Sequence, residues 1–156
     1  MINRRIVKYE QKHLEQIIDN LRGLERAQLA KVRMDVMAWH NMIISDTSCP
    51  RTILANNKPI AIGGISNLWV GVCEAWMIAS QDIRSHMFYV CKQVRKYIEE
   101  DIKRMNISRL QAVVSADNSD VYNFATKFLG FKYEGYLHHY GMDGSDQLML
   151  AKWGMK

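Results

Sequence analysis

Apolar residues recur along this chain with two spacings, every second residue in some stretches and every third or fourth in others. The changes of spacing mark its elements. Asn3 to Tyr9 predicts a first strand. From Lys12 to Leu21, Leu14, Ile17, Ile18 and Leu21 fall on one helical face, and Gly23 is placed to end that helix. A second helical region covers Leu24 to Ile43, with Leu29, Val32, Val36, Trp39 and Ile43 as its stripe. Ser45 to Pro50 reads as a polar break. Arg51 to Ala55 and Ile60 to Ile65 read as strands joined by a turn at Asn56-Asn57-Lys58-Pro59. The paired Gly63-Gly64 predicts a bulge or a close backbone approach. Val72 to Ala79 is apolar on both faces, as in a central, covered strand.

The longest periodic stretch is Ser85 to Met105, where Met87, Cys91, Val94, Ile98, Ile102 and Met105 form one stripe. Arg109 to Ser115 follows as an apolar strand. Strand, helix and strand make a βαβ unit, so Val72–Ala79 and Arg109–Ser115 should lie parallel. A short helix from Ser119 to Leu129 has Val121, Phe124, Ala125 and Phe128 facing the core, with Gly130 as its cap. Phe131 to Tyr140 and Gln147 to Trp153 form a final hairpin across Met142-Asp143-Gly144-Ser145. The order β-α-α-β-β-β-α-β-α-β-β implies an α/β (α+β) domain. Its sheet is mixed and mainly antiparallel, with one parallel pair and helices on both faces. No linker or repeat interrupts the 156 residues, so a single domain over 1–156 is expected.

Composition narrows the classes. Hydrophobic residues make up 48% and charged ones 24%, as in soluble globular proteins. No apolar run is long enough to span a bilayer, and no apolar stretch follows the basic N-terminus as a secretory signal would require. The three cysteines, Cys49, Cys73 and Cys91, are too scattered for a metal site or a disulfide framework, and reduced cysteines in a cytoplasmic protein are expected. The adjacent His138 and His139 point to opposite faces of a strand and do not chelate together, so no metal is expected. Net charge is +5, spread along the chain. Lys92, Arg95, Lys96, Lys103 and Arg104 form a basic helix face, which reads first as solvated surface; nucleic-acid binding on charge alone is a minor reading.

The stretch Ala116 to Gly135, ADNSDVYNFATKFLGFKYEG, adds specificity. An Asn after the fifth strand, a short amphipathic helix and a Leu-Gly-Phe element (Asn118, Phe124, Leu129, Gly130, Phe131) resemble the last conserved block of the GNAT N-acyltransferases. The element order over residues 3 to 153 is similar to that family's fold. PIAIGGI, EAWMIAS and FLGFKYEGYLHHYGMDGSDQLMLAKW resemble small GNAT-like proteins of short-tailed bacteriophages, some of them acetyltransferases and others internal virion proteins.

The resemblance implies an acetyl-CoA site where the two parallel strands part. Pantetheine would pair with the exposed edge of Val72–Ala79, at Met77, Ile78 and Ala79. The pyrophosphate would rest on the helix N-terminus at Arg84, Ser85 and His86, where unpaired amides and the helix dipole favour an anion. Asn118 and Phe124 would line the pantetheine. The loop departs from the family, whose QxxGxG-like pattern supplies glycines; Ser80-Gln81-Asp82-Ile83-Arg84-Ser85-His86 has none, and Asp82 would repel phosphate unless turned away. In this reading Arg84 supplies charge and Ser85 caps the helix. Glu74, an acid in an apolar strand, is the candidate general base, with burial expected to raise its pKa; Glu134 is the weaker alternative. The usual acid Tyr is replaced by Thr126, and Tyr122 one turn earlier is the candidate substitute. Three readings follow. The first is an acetyl transferase acting on a primary amine. The second is an inactive GNAT-shaped phage protein, a virion component or host-protein binder located in the host cytoplasm or the virion. The third is a nucleic-acid binder. Trp153 and the apolar C-terminal strand suggest a homodimer sheet.

Overall fold

The computed structural model describes residues 1–32 and 35–155. These residues fall into two compact units, Met1–Ser66 with Trp76–Met87 and Asn67–Ala75 with Phe88–Lys156.

In the first unit a hairpin sets the register. Asn56 and Asn57 take φ of 48° and 66°, the left-handed pair that closes a two-residue turn and that Asn tolerates better than most residues. On either side β2 (Thr47–Ala55) and β3 (Lys58–Trp69) pair antiparallel, beginning at Ala55↔Lys58. β1 (Arg4–Lys8) adds to β2 from Arg4↔Ala55 to Lys8↔Arg51. The segment expected as a polar break instead finishes a helix at Asp46 and opens β2. A register shift between Ser48 and Arg51, with Cys49 at φ 49°, admits the extra residues, a bulge that residue alternation cannot reveal. The close approach at Gly63-Gly64 is present: a Cβ on Gly63 would lie 2.9 Å from the Trp76 carbonyl oxygen, and one on Gly64 would overlap the Thr47 methyl.

The helices of this unit differ from expectation. α1 (Gln11–Asp19) stops before Gly23, which opens α2 (Gly23–Lys31) rather than ending α1. The region expected as one helix over Leu24–Ile43 is two, α2 and α3 (Val36–Asp46); Arg33 and Met34 lie outside the described residues. Val32 leaves the helical basin (φ −91°, ψ 109°), and Asp35 begins α3 afresh by accepting the Ala38 N–H at 2.7 Å. Helical periodicity continues across such a break when both pieces bury the same stripe. Here Leu29, Val36 and Trp39 pack half-buried on a core of Tyr9, Leu14, Ile17, Leu21, Ile43 and Ile62.

The second unit contains α4 (Met87–Arg104), β5 (Arg109–Ser115), α5 (Ser119–Asn123), β6 (Lys132–Leu137) and β7 (Gln147–Trp153). Within the α4 stripe Ile98 and Ile102 are buried, together with Val90 and Asp101. After α5 the chain widens into a π-helical turn over Phe124–Phe128, where the Leu129 N–H reaches the Phe124 carbonyl at 3.2 Å. The wider turn rotates the face that follows, so Leu129 takes the buried place expected of Phe128, which is 54% exposed. Gly130, at φ 75°, ends the segment as expected.

The strands run β1-β2-β3-β4-β5-β7-β6, where β4 is Val72–Ala79, and β4–β5 is parallel. This is the expected mixed, mainly antiparallel sheet. β7 is paired on both sides, to β5 and to β6. Its backbone edge is therefore not available for the dimer sheet suggested from the sequence; β6 is the edge strand.

Candidate active site

The parallel ladder is short. Val72, Cys73 and Glu74 pair with Arg109, Leu110 and Gln111, and the registered pairs end there. β5 continues against β7 along its whole length, so its remaining backbone is satisfied on that side. At the last pair the half-buried Glu74 accepts, on Oε2, a hydrogen bond of 3.0 Å from Gln111 Nε2. Gln111 is the polar member of RLQAVVS and is 9% exposed. Its signal in the sequence is an amide in an otherwise apolar strand.

The other candidate base is differently placed. Arg109 donates two hydrogen bonds to Glu134, at 2.9 and 2.5 Å. This fork holds the Glu134 carboxyl below its ordinary range and raises the guanidinium further. A carboxylate clamped by an arginine is a poor proton acceptor. Among the described residues no ion pair involves Glu74.

Beyond β4 the candidate phosphate loop is a 3₁₀ helix over Gln81–His86, followed directly by α4. Its side chains are engaged with the end of α1. Gln81 Nε2 donates to Asn20 Oδ1 at 2.5 Å, Asn20 Nδ2 donates to Asp82 Oδ2 at 2.8 Å, and the Gln81 N–H donates to the Asn20 carbonyl at 2.9 Å. Asp82 is thus oriented by Asn20. The Ile83 N–H donates to the Ser80 carbonyl, and the Ile83 side chain is buried. A 3₁₀ winding turns its amides onto its own carbonyls, which is what a chain without glycines does where a phosphate nest would need them outward. Ser85 lies inside this winding, exposed, and is not the expected cap of α4. Arg84 is exposed, and His86 accepts the Arg4 Nε–H on Nδ1 at 3.1 Å. Met77 and Ile78 are half-buried and Ala79 is buried. The Ser80 hydroxyl is buried with no hydrogen-bond partner.

On the far side of β5, Asn118 caps α5 by accepting the Val121 N–H on Oδ1 at 3.2 Å. Tyr122 is half-buried one turn later, and Phe124 is buried at the start of the π turn. The Thr126 hydroxyl donates to the Tyr122 carbonyl at 2.8 Å, so it is turned back onto its own helix. The basic face of α4 is partly neutralised by Arg95–Glu99, Lys96–Glu100 and Arg104–Asp101 pairs. None of the described helices is long and apolar enough to cross a membrane.

No protein-family model matches the sequence, and no curated protein matches it. Solved structures do. Ard1 from Thermoplasma volcanium is 13% identical with a TM-score of 0.77, over 98% of this chain and 99% of that one. A GNAT-family acetyltransferase from Bacillus anthracis is 14% identical with a TM-score of 0.72, over 96% and 94%. RimJ of Mycobacterium smegmatis, solved in complex with CoA-disulfide, is 14% identical with a TM-score of 0.71, over 97% of this chain and 82% of that one. The short parallel ladder, the strand order and these full-length superpositions together identify the architecture: the chain has the fold of the GNAT N-acetyltransferases.

Proposed function

We propose that the chain is an acyl-CoA-dependent N-acyltransferase that moves an acetyl group from acetyl-CoA to a primary amine. The observation that carries this reading is the end of the β4–β5 ladder at Glu74↔Gln111. There Glu74 is half-buried and, among the described residues, in no ion pair. In this reading the edge of β4 that follows it pairs with the amides of a pantetheine arm. Met77, Ile78 and Ala79 are its residues in this reading, with Asn118 and Phe124 as further contacts. Arg84, Ser85 and His86 would meet the pyrophosphate in this reading, through a guanidinium and hydroxyl more than through backbone amides.

In the reaction the amine nitrogen forms a bond to the thioester carbonyl carbon, and the carbon–sulfur bond breaks. Glu74 takes the proton the amine must lose, directly or through a water. The departing thiolate takes a proton from Tyr122 or from solvent; a thiolate is a fair leaving group, so this second transfer is the less demanding one. Acetyl-CoA at a hundredfold excess over its Kd should stabilise the protein by about 2.7 kcal/mol, a rise in Tm of roughly 5–10 °C for a chain of this size. No shift at millimolar acetyl-CoA would remove the reading. Glu74→Gln should lower turnover without changing that shift.

The loop supports a second reading. A 3₁₀ helix bonded to Asn20 and a Thr126 hydroxyl turned onto its own backbone suit a GNAT-shaped protein without catalysis, such as a phage virion component or a host-protein binder. That protein would show neither the acetyl-CoA shift nor thiol release.

A further inference from the structure

We propose that Gln111 is a positioning residue for the transferase reaction: its side-chain amide fixes the orientation of the Glu74 carboxylate. The inference rests on the reading of Glu74 as the base.

Three observations carry it. The first is register. Glu74 and Gln111 are directly paired across the parallel ladder, so their side chains leave the sheet on the same face. The second is the bond itself. Gln111 Nε2 donates to Glu74 Oε2 at 3.0 Å, and Gln111 is 9% exposed. A buried amide whose donor meets a carboxylate holds one rotamer, and it holds the carboxylate with it. The third is space. On β7 the residue in register with Gln111 is the buried Ala151, which offers no polar alternative partner, while Leu110 and Ala112 alternate to the opposite face.

The type of donor matters as much as its position. A neutral amide orients a carboxylate and stabilises its ionised form modestly; an arginine fork stabilises it much more and covers both oxygens. Arg109 does the latter to Glu134. Two glutamates of the same unit are therefore sorted by their partners. Glu134 is committed to an ion pair, and Glu74 is held through one oxygen, leaving Oε1 for the proton of an acceptor amine or an intervening water. A leucine at position 111 would keep the packing and remove the donor. Glu74 would then sample several rotamers.

The test uses the full chain with Gln111→Leu and Gln111→His, the latter keeping a side-chain N–H at a similar reach. In protein labelled with ¹³C-glutamate, the Glu74 side-chain signals, assigned with Glu74→Gln, report its rotamer through their three-bond couplings in NMR. The expected result is a single rotamer in the wild type, averaged couplings in Gln111→Leu, and couplings restored toward the wild type in Gln111→His. Thiol release from acetyl-CoA is then measured with a polyamine and with lysine-containing peptides. Gln111→Leu should lower kcat about tenfold or more, the scale of a misplaced catalytic group, with the KM for acetyl-CoA within about twofold. The kcat of Gln111→His should recover toward the wild type. A Glu74 side chain that keeps one rotamer in Gln111→Leu overturns the inference. So does a kcat unchanged in Gln111→Leu but lowered in Glu74→Gln, and that outcome leaves the acyltransferase reading standing. A kcat unchanged in Glu74→Gln removes Glu74 as base, and Gln111 with it.

Discussion

His13 offers a prediction in which local structure, burial and pH can be separated. It sits in the first turn of α1 and is 4% exposed. Its Nδ1 accepts the Glu10 backbone N–H at 3.1 Å and lies 2.9 Å from the Thr52 hydroxyl, itself 0% exposed. A backbone N–H can only donate, so Nδ1 is an acceptor and the native ring is neutral, with its proton on Nε2. Burial lowers the His13 pKa, with Lys12 adding to the shift and Glu10 opposing it. The unfolded chain therefore binds a proton near the ordinary value of about 6.5, at a pH where the native protein does not. Stability from this site is complete above that pH and declines as pH falls from about 6.5 toward the lower native value.

Two variants divide these effects. His13→Leu leaves the Thr52 hydroxyl buried without a partner, at about 1–3 kcal/mol, and frees the Glu10 amide for about 1 kcal/mol more. A Tm lower by roughly 4–16 °C at pH 7.5 is expected. His13→Gln keeps an acceptor for the Glu10 amide in the manner of a capping box and should cost much less. It should also lose the fall in Tm between pH 7.5 and 5.5 that is expected of the wild type. Differential scanning calorimetry across that range tests both. Parallel Tm–pH curves for wild type and His13→Gln would refute the neutral, buried histidine; a His13→Leu variant as stable as wild type would refute the hydrogen-bond assignment.

Three further outcomes are expected. Gly64→Ala places a methyl group against Thr47 and should destabilise by about 1–3 kcal/mol in urea titration, far more than alanine at Gly23, where nothing lies within 4 Å of a new Cβ. Leu150→Ala, at a position 0% exposed on β7, should cost about 2–5 kcal/mol in the same assay. Asn118→Ala removes the α5 cap and should cost about 1 kcal/mol. Asn118→Asp keeps the cap, so a loss of acetyl-CoA binding in both variants, measured by calorimetric titration, would separate a pantetheine contact from capping.

The sequence by itself determined the elements whose signal is local. Val72–Ala79, Arg109–Ser115 and Gln147–Trp153 have the bounds that alternation and apolar runs assign them. The Asn56-Asn57 turn, the Gly130 cap and the close approach at Gly63-Gly64 follow from conformations or contacts that few other residues permit. The βαβ rule made one pair of strands parallel, and Glu74 stood out as an acid in an apolar strand. Tertiary structure decided whatever depends on a partner distant in the chain. The helix expected over Leu24–Ile43 is two helices because Asp35 caps a new start while both pieces bury the same stripe. Phe128 faces solvent because a π turn, invisible to a 3.6-residue repeat, rotates the helix at Phe124. Gln81–His86 winds into a 3₁₀ helix because Asn20, sixty-odd positions earlier, holds Gln81 and Asp82. Which of two glutamates is left with a free oxygen depended on where β5 brought Arg109 and Gln111, and such pairings are fixed by sheet register across the fold rather than by spacing along the chain.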